Sequence, residues 1–198
     1  DTVIPYEYID IKDNAAVITN TSTKSGQNLH LKGADKKQGD IVAAKQQLIT
    51  PAIISVAASV GKTKLLVKKL PRVVVISSGD ELVNVDERPS PIQIRKSNSY
   101  TIKAVLHQYS LDVDLLHIPD NAEITKEKLH HCVGNYDVIL MTGGISMGKF
   151  DYIPKALDEI GVKTIFHKVS QRPGKPFYFG RHDNGVLVFA FPGNPVAT

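Results

Sequence analysis

The sequence predicts an α/β protein with a doubly wound, mostly parallel sheet and a smaller N-terminal β module. Three observations support this: a β-branched run at 72–77, helix-period segments that alternate with apolar strands after it, and short β-type runs before it. Continuous apolar runs of this kind are typical of strands buried on both faces of a parallel sheet. We therefore expect a β module at 1–45, a connecting helix and linker at 46–70, and an α/β domain at 71–198.

The β module is predicted from three short runs separated by polar, glycine-containing turns, at 2–5, 16–19 and 28–31. A helix is predicted next, at 50–60. Thr50 is suited to cap its start, Pro51 suits the first helical position, and Gly61 suits its end. The module is therefore expected to connect through one short helix to the second domain.

Strands and helices alternate in the second domain. The predicted order is strand 72–77, helix 98–109, strand 113–118, helix 120–132, strand 138–142, helix 152–160, and strands 163–168 and 186–191. Asp120 is a candidate cap for the second of these helices. Such alternation implies right-handed crossovers, and a doubly wound sheet binds ligands outside the carboxyl ends of its strands.

Composition excludes several classes of protein. No apolar run is long enough to span a bilayer, and single Cys132 leaves no internal disulfide. No secretory signal pattern is present at the start, so we expect a cytoplasmic protein. The net charge of +4 is mild, and the lysines at 62–69 are not interleaved with aromatic residues, so neither nucleic acid nor a membrane is an expected partner.

A glycine-rich turn follows the predicted strand at 138–142. Gly143, Gly144 and Gly148 lack Cβ atoms where the chain turns towards a helix. Backbone N–H groups in such a turn can cradle a phosphate at the positive end of the helix. A βα turn that needs glycine only for its conformation explains the same residues, and the glycines alone leave both interpretations open.

Polar residues follow the strand ends and are expected to meet in one crevice. They are Ser78, Gly79, Asp80 and Glu81 after the first strand, Asp120 after the second, and Thr142, Gly143, Gly144, Ser146 and Asp151 after the third. Each carboxylate alone would be explained by a turn or a helix cap. Together they lie where an α/β sheet binds its ligand, which favours a functional site.

A basic loop follows the strand predicted at 163–168. Lys168, Arg172 and Lys175 flank a Pro-Gly-Lys-Pro turn, in which Pro173 and Gly174 precede the last cation. Its prolines stiffen the turn and reduce the entropy lost when an anion binds. Carboxylates suit Mg²⁺ and cations suit oxyanions, so the combination indicates a phosphorylated substrate and metal-assisted chemistry.

These motifs occur in an order that resembles a known family. They are Ser25-Gly-Gln-Asn28, Lys32-Gly-Ala-Asp35, Ser78-Gly-Asp-Glu-Leu82, Ser97-Asn98, Asp120, Thr142-Gly-Gly-Ile-Ser146, Asp151-Tyr152, Pro173-Gly-Lys-Pro176 and Pro192-Gly-Asn-Pro195. The chain resembles the MoeA-type molybdopterin molybdotransferases and is similar to the E domain of gephyrin. The resemblance covers essentially the whole chain. The family also has an N-terminal region and a C-terminal β domain, so the sequence is expected to be its central fragment.

The resemblance implies insertion of molybdate into adenylylated molybdopterin, with Mg²⁺ and release of AMP. It also implies a homodimer whose site spans two subunits, with an adenylyltransferase as a possible partner. By match to the family motifs, Glu81, Asp151, Asp120 and Asp35 are the expected catalytic carboxylates. The first three are also the expected metal ligands, and the remaining strand-end and basic-loop residues are expected to bind substrate.

Two other functions remain open. A molybdopterin adenylyltransferase shares the α/β domain, but it resembles Thr-Gly-Gly-Thr-Gly where this chain has Thr142-Gly-Gly-Ile-Ser146. A non-catalytic scaffold like the gephyrin domain would bind a partner peptide. The Pro-Gly-Lys-Pro turn and the β module favour the transferase over the first, and the retained carboxylates favour it over the second.

Overall fold

The computed structural model describes residues 1–19, 22–145 and 152–198. The chain divides into two compact units, Asp1–Val67 and Lys68–Thr198. The first unit contains a 3-10 turn at Tyr6–Tyr8, strands β1 (Ile9–Lys12) and β2 (Ala15–Ile18), and helix α1 (Pro51–Ser59). No helix among the described residues is long and apolar enough to cross a membrane.

Strands β1 and β2 form an antiparallel hairpin in which Ile9 is paired with Ile18. Its two turn residues, Asp13 and Asn14, have φ values of 47° and 61°, as a hairpin turn that matches the strand twist requires. The β-strands expected at 2–5 and 28–31 are absent. The N–H of Val3 donates to the Gln27 carbonyl oxygen at 3.1 Å, but turns with positive φ interrupt this pairing before it becomes a ladder.

Helix α1 forms where its start and stop signals predict it. The Thr50 hydroxyl accepts a hydrogen bond from the Ile53 N–H at 3.4 Å. At the other end Gly61 has φ +74°, and its N–H donates to the Ala58 carbonyl while the Lys62 N–H donates to that of Ala57. This pair of bonds is a Schellman motif, which satisfies carbonyl groups that the helix leaves unpaired.

The second unit has the α/β order that the sequence predicts. Its elements are β3 (Val73–Ser78), β4 (Leu82–Val83), β5 (Ile94–Arg95), α2 (Asn98–His107), β6 (Val113–Ile118), α3 (Ala122–Asn135), β7 (Val138–Thr142), α4 (Tyr152–Glu159), β8 (Val162–His167), β9 (Tyr178–His182) and β10 (Leu187–Phe191). Three of these strands, β4, β5 and β9, are additions to the prediction.

The central sheet has the strand order β6-β3-β7-β10-β9-β8. The first four strands are parallel to their neighbours, whereas β9 is antiparallel to both β10 and β8. The chain passes to one side of β3 to form β6 and then to the other side to form β7. The carboxyl end of β3 is therefore a point where the strand order reverses, and such points bind ligands in open α/β sheets.

Helices cover both faces of this sheet. Ile76 and Val74 point towards α3 and α4, in a core that includes Leu129 and Leu157. Val73, Val75 and Val113 pack on the other face with side chains of α2. All six residues of β3 are buried, as its continuous β-branched sequence predicts. Burial of each such side chain contributes about 1.5–3 kcal/mol, so β3 is a rigid support for the loop that follows it.

Candidate functional site

Two carboxylates meet at the carboxyl ends of β3 and β6. The Asp80 N–H donates to Asp120 Oδ2 at 3.4 Å, and the Asp120 N–H donates to Asp80 Oδ1 at 3.1 Å. This reciprocal pair brings two exposed side chains together, and each carboxylate keeps one oxygen free of this contact. Two carboxylates therefore lie next to each other at this edge of the sheet.

Asp120 does not cap the helix, contrary to the expectation from sequence. The N-cap of α3 is Asn121, whose side-chain oxygen accepts a hydrogen bond from the Ile124 N–H at 3.0 Å. The Asp120 backbone is turned towards Asp80 instead, because each aspartate uses a carboxylate oxygen to satisfy the other's N–H. The cap and the site carboxylate are thus neighbouring residues with separate roles.

Glu81 follows Asp80 in the chain and begins the segment that leaves the central sheet and forms strands β4 and β5. Its carbonyl oxygen accepts from the Ile94 N–H at 2.8 Å, which joins the loop after β3 to β5. Its carboxylate lies over Gly79, where φ is +128° and an added Cβ would overlap the Glu81 side chain. The backbone conformation therefore favours glycine at 79, whereas the exposed Glu81 side chain could move away from an added Cβ.

The described part of the glycine turn after β7 packs against the end of β3. The Gly143 N–H donates to the Phe191 carbonyl oxygen at 3.1 Å, so this N–H serves the sheet and not an anion. An added Cβ on Gly144 would overlap Ile153 and lie 2.9 Å from the Ser78 hydroxyl oxygen. Tight packing explains these two glycines. Ser146, Gly148 and Asp151, which the sequence assigns to the same turn, lie outside the described residues.

A cavity of about 230 Å³ opens between the ends of β3 and β7 and the start of α2. Of the predicted site residues, Ser78, Glu81, Thr142 and Gly143 line it. The sequence prediction did not include Arg95, Lys96, Ser97, Asn98, Ser99, Gly193 and Pro195, which also line the cavity. The Ser97-Asn98 and Pro192-Gly-Asn-Pro195 motifs were the available signals for part of this set.

The basic loop is closed by its own backbone. The Lys168 N–H donates to the Phe177 carbonyl at 2.8 Å, and the Val169 N–H donates to that of Lys175 at 2.9 Å. The peptide bond between Arg172 and Pro173 is cis. The three cationic side chains are exposed, and none of them forms an ion pair with another described residue. Their charges are available to an anion.

Residues 192–198 connect the basic loop to the cavity. A Cβ on Gly193 would lie 3.5 Å from the Gly143 Cα atom, and one on Gly174 would lie 3.5 Å from the Ala197 carbonyl oxygen. The end of β8 also reaches the glycine turn, because His167 Nε2 is 3.3 Å from the Ile145 carbonyl oxygen. Gly143 and Ile145 of the glycine turn, the cavity and the basic loop are therefore parts of one continuous surface.

A histidine lies behind the carboxylates, at the end of β6. His117 Nδ1 is 3.1 Å from the Ser77 carbonyl oxygen, and the Lys128 ammonium donates to the His117 carbonyl oxygen at 2.9 Å. Partial burial lowers the pKa of His117 below its ordinary value, and the charges of Lys96 and Lys128 lower it further. His117 is thus neutral at pH 7 and adds no positive charge beside Asp80.

Asp35 belongs to the first unit. Its carboxylate is 3.0 Å from His30 Nε2, and both side chains are exposed. Among residues 1–19, 22–145 and 152–198, no group of three or more His, Cys, Asp or Glu side chains is arranged to hold a metal ion. The expected metal set of Glu81, Asp120 and Asp151 is not tested by this, since Asp151 is outside the described residues.

Family comparisons identify the two parts of the chain. A model described as a probable molybdopterin binding domain matches residues 74–198, and one described as the MoeA N-terminal region, domains I and II, matches residues 1–61. The chain is 36% identical over 201 residues to a molybdopterin molybdenumtransferase of Synechocystis sp., covering 100% of this chain and 52% of that protein. It is 31% identical to the Haemophilus influenzae protein of that name, and the match covers 100% of this chain and 48% of that protein. It thus spans about half the length of these curated relatives.

Solved structures agree with this. A molybdopterin biosynthesis MoeA protein from Pyrococcus horikoshii superposes with a TM-score of 0.76 and 25% identity, covering 100% of this chain and 49% of that one. A second MoeA structure from this organism superposes with a TM-score of 0.68 and 26% sequence identity. It covers 99% of this chain and 47% of the other. The expected α/β class and the resemblance are confirmed. The chain therefore belongs to the family with the molybdopterin-binding domain, in the MoeA-type arrangement where a MoeA N-terminal region precedes that domain.

Proposed function

We propose that this chain is part of a molybdopterin molybdenumtransferase, which inserts molybdate into adenylylated molybdopterin and releases AMP in a Mg²⁺-dependent reaction. The names of its relatives support the transferase class. The observation that carries the proposal is the approach of Asp80 to Asp120 at a reversal of strand order, with Glu81 beside them. Carboxylates in such a place suit a substrate that arrives with a metal ion.

The donor chemistry of these residues fits Mg²⁺. This ion usually takes one or two protein carboxylates, keeps several waters, and is completed by substrate phosphates, so a cage of protein ligands is unnecessary. Asp80 and Asp120 each keep one carboxylate oxygen that is not bonded to the other's backbone. Bound Mg²⁺ would neutralise phosphate charge. Asp120 is the member of this pair that would hold the ion, together with Glu81 and Asp151, while Asp80 orients Asp120 by accepting its N–H.

The basic loop has the complementary role. Lys168, Arg172 and Lys175 have no carboxylate partner among the described residues, and residues 192–198 join their loop to the glycine turn. These cations would hold the oxyanions of the substrate against the carboxylate edge, where their opposed charges orient it. In this proposal the three cations bind the substrate, and the carboxylates hold the Mg²⁺ that would neutralise phosphate charge.

The proposal includes a homodimer in which Asp35 completes the site of the partner subunit. His30 lies 3.0 Å from the Asp35 carboxylate, and both side chains are exposed, so this carboxylate is accessible to a substrate. Dilution tests the shared site. We expect activity per subunit to fall as the dimer dissociates. Constant activity per subunit down to the monomer would contradict the shared site.

The main test replaces Glu81 in the whole protein. We expect Glu81→Gln to slow AMP release from adenylylated molybdopterin, with molybdate and Mg²⁺ present, by about a hundredfold. The melting temperature should change little, because the Glu81 side chain is exposed. Glu127→Gln on α3 is the matched control, since Glu127 is an exposed carboxylate outside the site. Normal AMP release by Glu81→Gln would refute the proposed role, and peptide binding without turnover would favour a scaffold.

A further inference from the structure

Hydrogen bonds from one side chain hold the turn at 192–198 against the rest of the molecule. Within this turn, the Asn194 carbonyl oxygen accepts from the Thr198 N–H at 3.1 Å, and the Thr198 hydroxyl donates to the Pro192 carbonyl oxygen. Those bonds give the turn its shape. In the described part of the chain, the only hydrogen bonds that join the turn to residues outside it come from Asn98.

Asn98 is the first residue of α2, and it is only 9% exposed. Its side-chain amide donates to the Gly193 carbonyl oxygen at 3.0 Å and to Thr198 Oγ1 at 3.1 Å. A carbonyl oxygen can only accept a hydrogen bond, so the NH₂ end of the Asn98 amide must face the turn. Both of its N–H groups are used there, and neither is left to donate to a ligand in the cavity.

Helix α2 is a rigid support for this contact. Its side chains Ile102 and Leu106 pack against the buried residues Val73 and Val75 of β3. The same strand carries the loop in which the site carboxylates begin. Asn98 and that loop are therefore fixed to one core, and Asn98 transmits the position of the core to the turn.

The turn at 192–198 also touches the basic loop. Gly174 lies so close to it that an added Cβ would be 3.5 Å from the Ala197 carbonyl oxygen. The basic loop is closed by its own backbone hydrogen bonds, at Lys168 and Val169, and its cations form no ion pair with a described residue. Contact with the turn therefore limits how far this loop can move from the cavity.

We propose that Asn98 is a positioning residue for the reaction: through the turn at 192–198, it fixes the basic loop relative to the carboxylates that follow β3 and β6. This inference rests on the proposed function for the substrate and the reaction, whereas the contacts that carry it do not depend on that function. Groups that are held in place before the substrate arrives need no reorganisation in the transition state.

Removal of the Asn98 amide should affect catalysis more than binding. In Asn98→Ala the cations of the basic loop stay exposed and charged, so we expect KM to remain within about twofold of the parent value. We expect kcat for AMP release by the whole protein to fall about thirtyfold, because a displaced loop no longer holds the substrate in its reactive geometry. An unchanged kcat in a folded Asn98→Ala would overturn the proposal.

Asn184→Ala is the matched control. The Asn184 amide also donates to a backbone carbonyl oxygen, that of Val133, at 3.0 Å, but Asn184 lies between β9 and β10, at the opposite end of β10 from the turn. Each variant loses a hydrogen bond, so both should have a lower melting temperature. Only Asn98→Ala should have a lower kcat. Equal kcat values in the two variants would show that the role of Asn98 is structural alone.

Thr198 provides a second test, which stays decisive if Asn98→Ala does not fold. Thr198→Val keeps the shape of the side chain but removes the hydroxyl that accepts from Asn98, so kcat should fall about fivefold. Thr198→Ser should restore it. In a double-mutant cycle, Thr198→Val should add little to the effect of Asn98→Ala, because both break the same contact. A parent-like kcat in Thr198→Val, or full additivity, would contradict a role through the turn.

Spectra of the 198-residue chain separate this proposal from the proposed function. In Asn98→Ala, the ¹⁵N amide signals of Gly193 and Val196 should shift, those of Gly174 and Lys175 should shift with them, and those of β6 should stay. Unmoved signals in the basic loop would show that the turn does not position it. Coupled shifts, with no AMP release by the whole parent protein, would refute only the transferase. AMP release with a parent-like kcat in Asn98→Ala would refute only the positioning role.

Discussion

At the scale of single residues, the site depends on close approaches between loops. The turn after β7 packs on the end of β3 because Gly143 and Gly144 have no side chains and have φ values of +90° and +66°. The Ser78 hydroxyl lies where a Cβ on either glycine would come close to it. These glycines keep two strand ends together, and so they preserve the cavity between those ends.

Gly144→Ala is expected to lower the free energy of unfolding by about 1–3 kcal/mol, because a positive φ is combined with overlap with Ile153. Gly134→Ala is the matched control. Gly134 lies in α3 with ordinary φ and nothing within 4 Å of an added Cβ, so alanine there should stabilise by about 0.5–1 kcal/mol. Urea unfolding of both variants measures the difference, and equal midpoints would contradict the packing account.

His117 predicts a pH dependence of stability. Its pKa in the folded chain is below the ordinary histidine value of 6.5, mainly because of partial burial. As pH falls through 6.5 the unfolded chain binds a proton that the folded chain does not, so stability falls, and it is fully restored above this pH. In His117→Asn the melting temperature should depend less on pH in the range just below pH 6.5. Parallel profiles for the variant and the parent chain would show that another group is responsible.

Residue roles were only partly predictable from the sequence. Asp80, Glu81 and Asp120 were assigned to the end of a sheet, and the structure places the two aspartates in direct contact. Lys96 was missed because its place at the cavity depends on β4 and β5, which are two residues each and have no detectable period. Whether the predicted carboxylates and cations act in catalysis stays a prediction.

At the scale of elements, sequence reasoning succeeded where burial imposes a pattern. Helices α2 and α3 have apolar residues at the helical period, and the strands of the parallel region are continuous apolar runs. β9 was missed because Gly180 and Arg181 interrupt its apolar run. Gly180 is needed since an added Cβ would come within 2.6 Å of the Tyr178 hydroxyl oxygen. The prediction of strands at 2–5 and 28–31 was wrong. Short runs of this kind have β propensity, but they form a strand only where a partner strand is available.

The start of α3 offers a prediction about one element. Asn121→Ala should lower the free energy of unfolding by about 1 kcal/mol, because the side chain that accepts from the Ile124 N–H is lost. Asn121→Asp keeps an oxygen acceptor and should be close to neutral. Chemical denaturation of both variants is the measurement. If alanine and aspartate have the same effect, the cap contributes nothing.

At the scale of the whole molecule, the two units differ in what stabilises them. Among the described residues, all the buried hydrophobic side chains lie between Val73 and Ala190, in the second unit. The first unit has no buried residue among those described, and its strands have mostly exposed side chains. Hydrophobic burial is the main favourable term in folding, so the second unit has a core of its own, whereas residues 1–19 and 22–67 form none.

The two units should therefore behave differently when they are produced separately. Residues 68–198 are expected to unfold in one cooperative transition on heating, because both faces of the sheet keep their cores. Residues 1–67 are expected to show no such transition, since hairpin β1–β2 and the nine-residue helix α1 are each too short to be stable alone in water. Circular dichroism and calorimetry on the two pieces are the measurements, with the 198-residue chain as the reference. A cooperative transition in residues 1–67 would mean that hydrogen bonds such as that from the Val3 N–H to Gln27 stabilise this unit without a buried core.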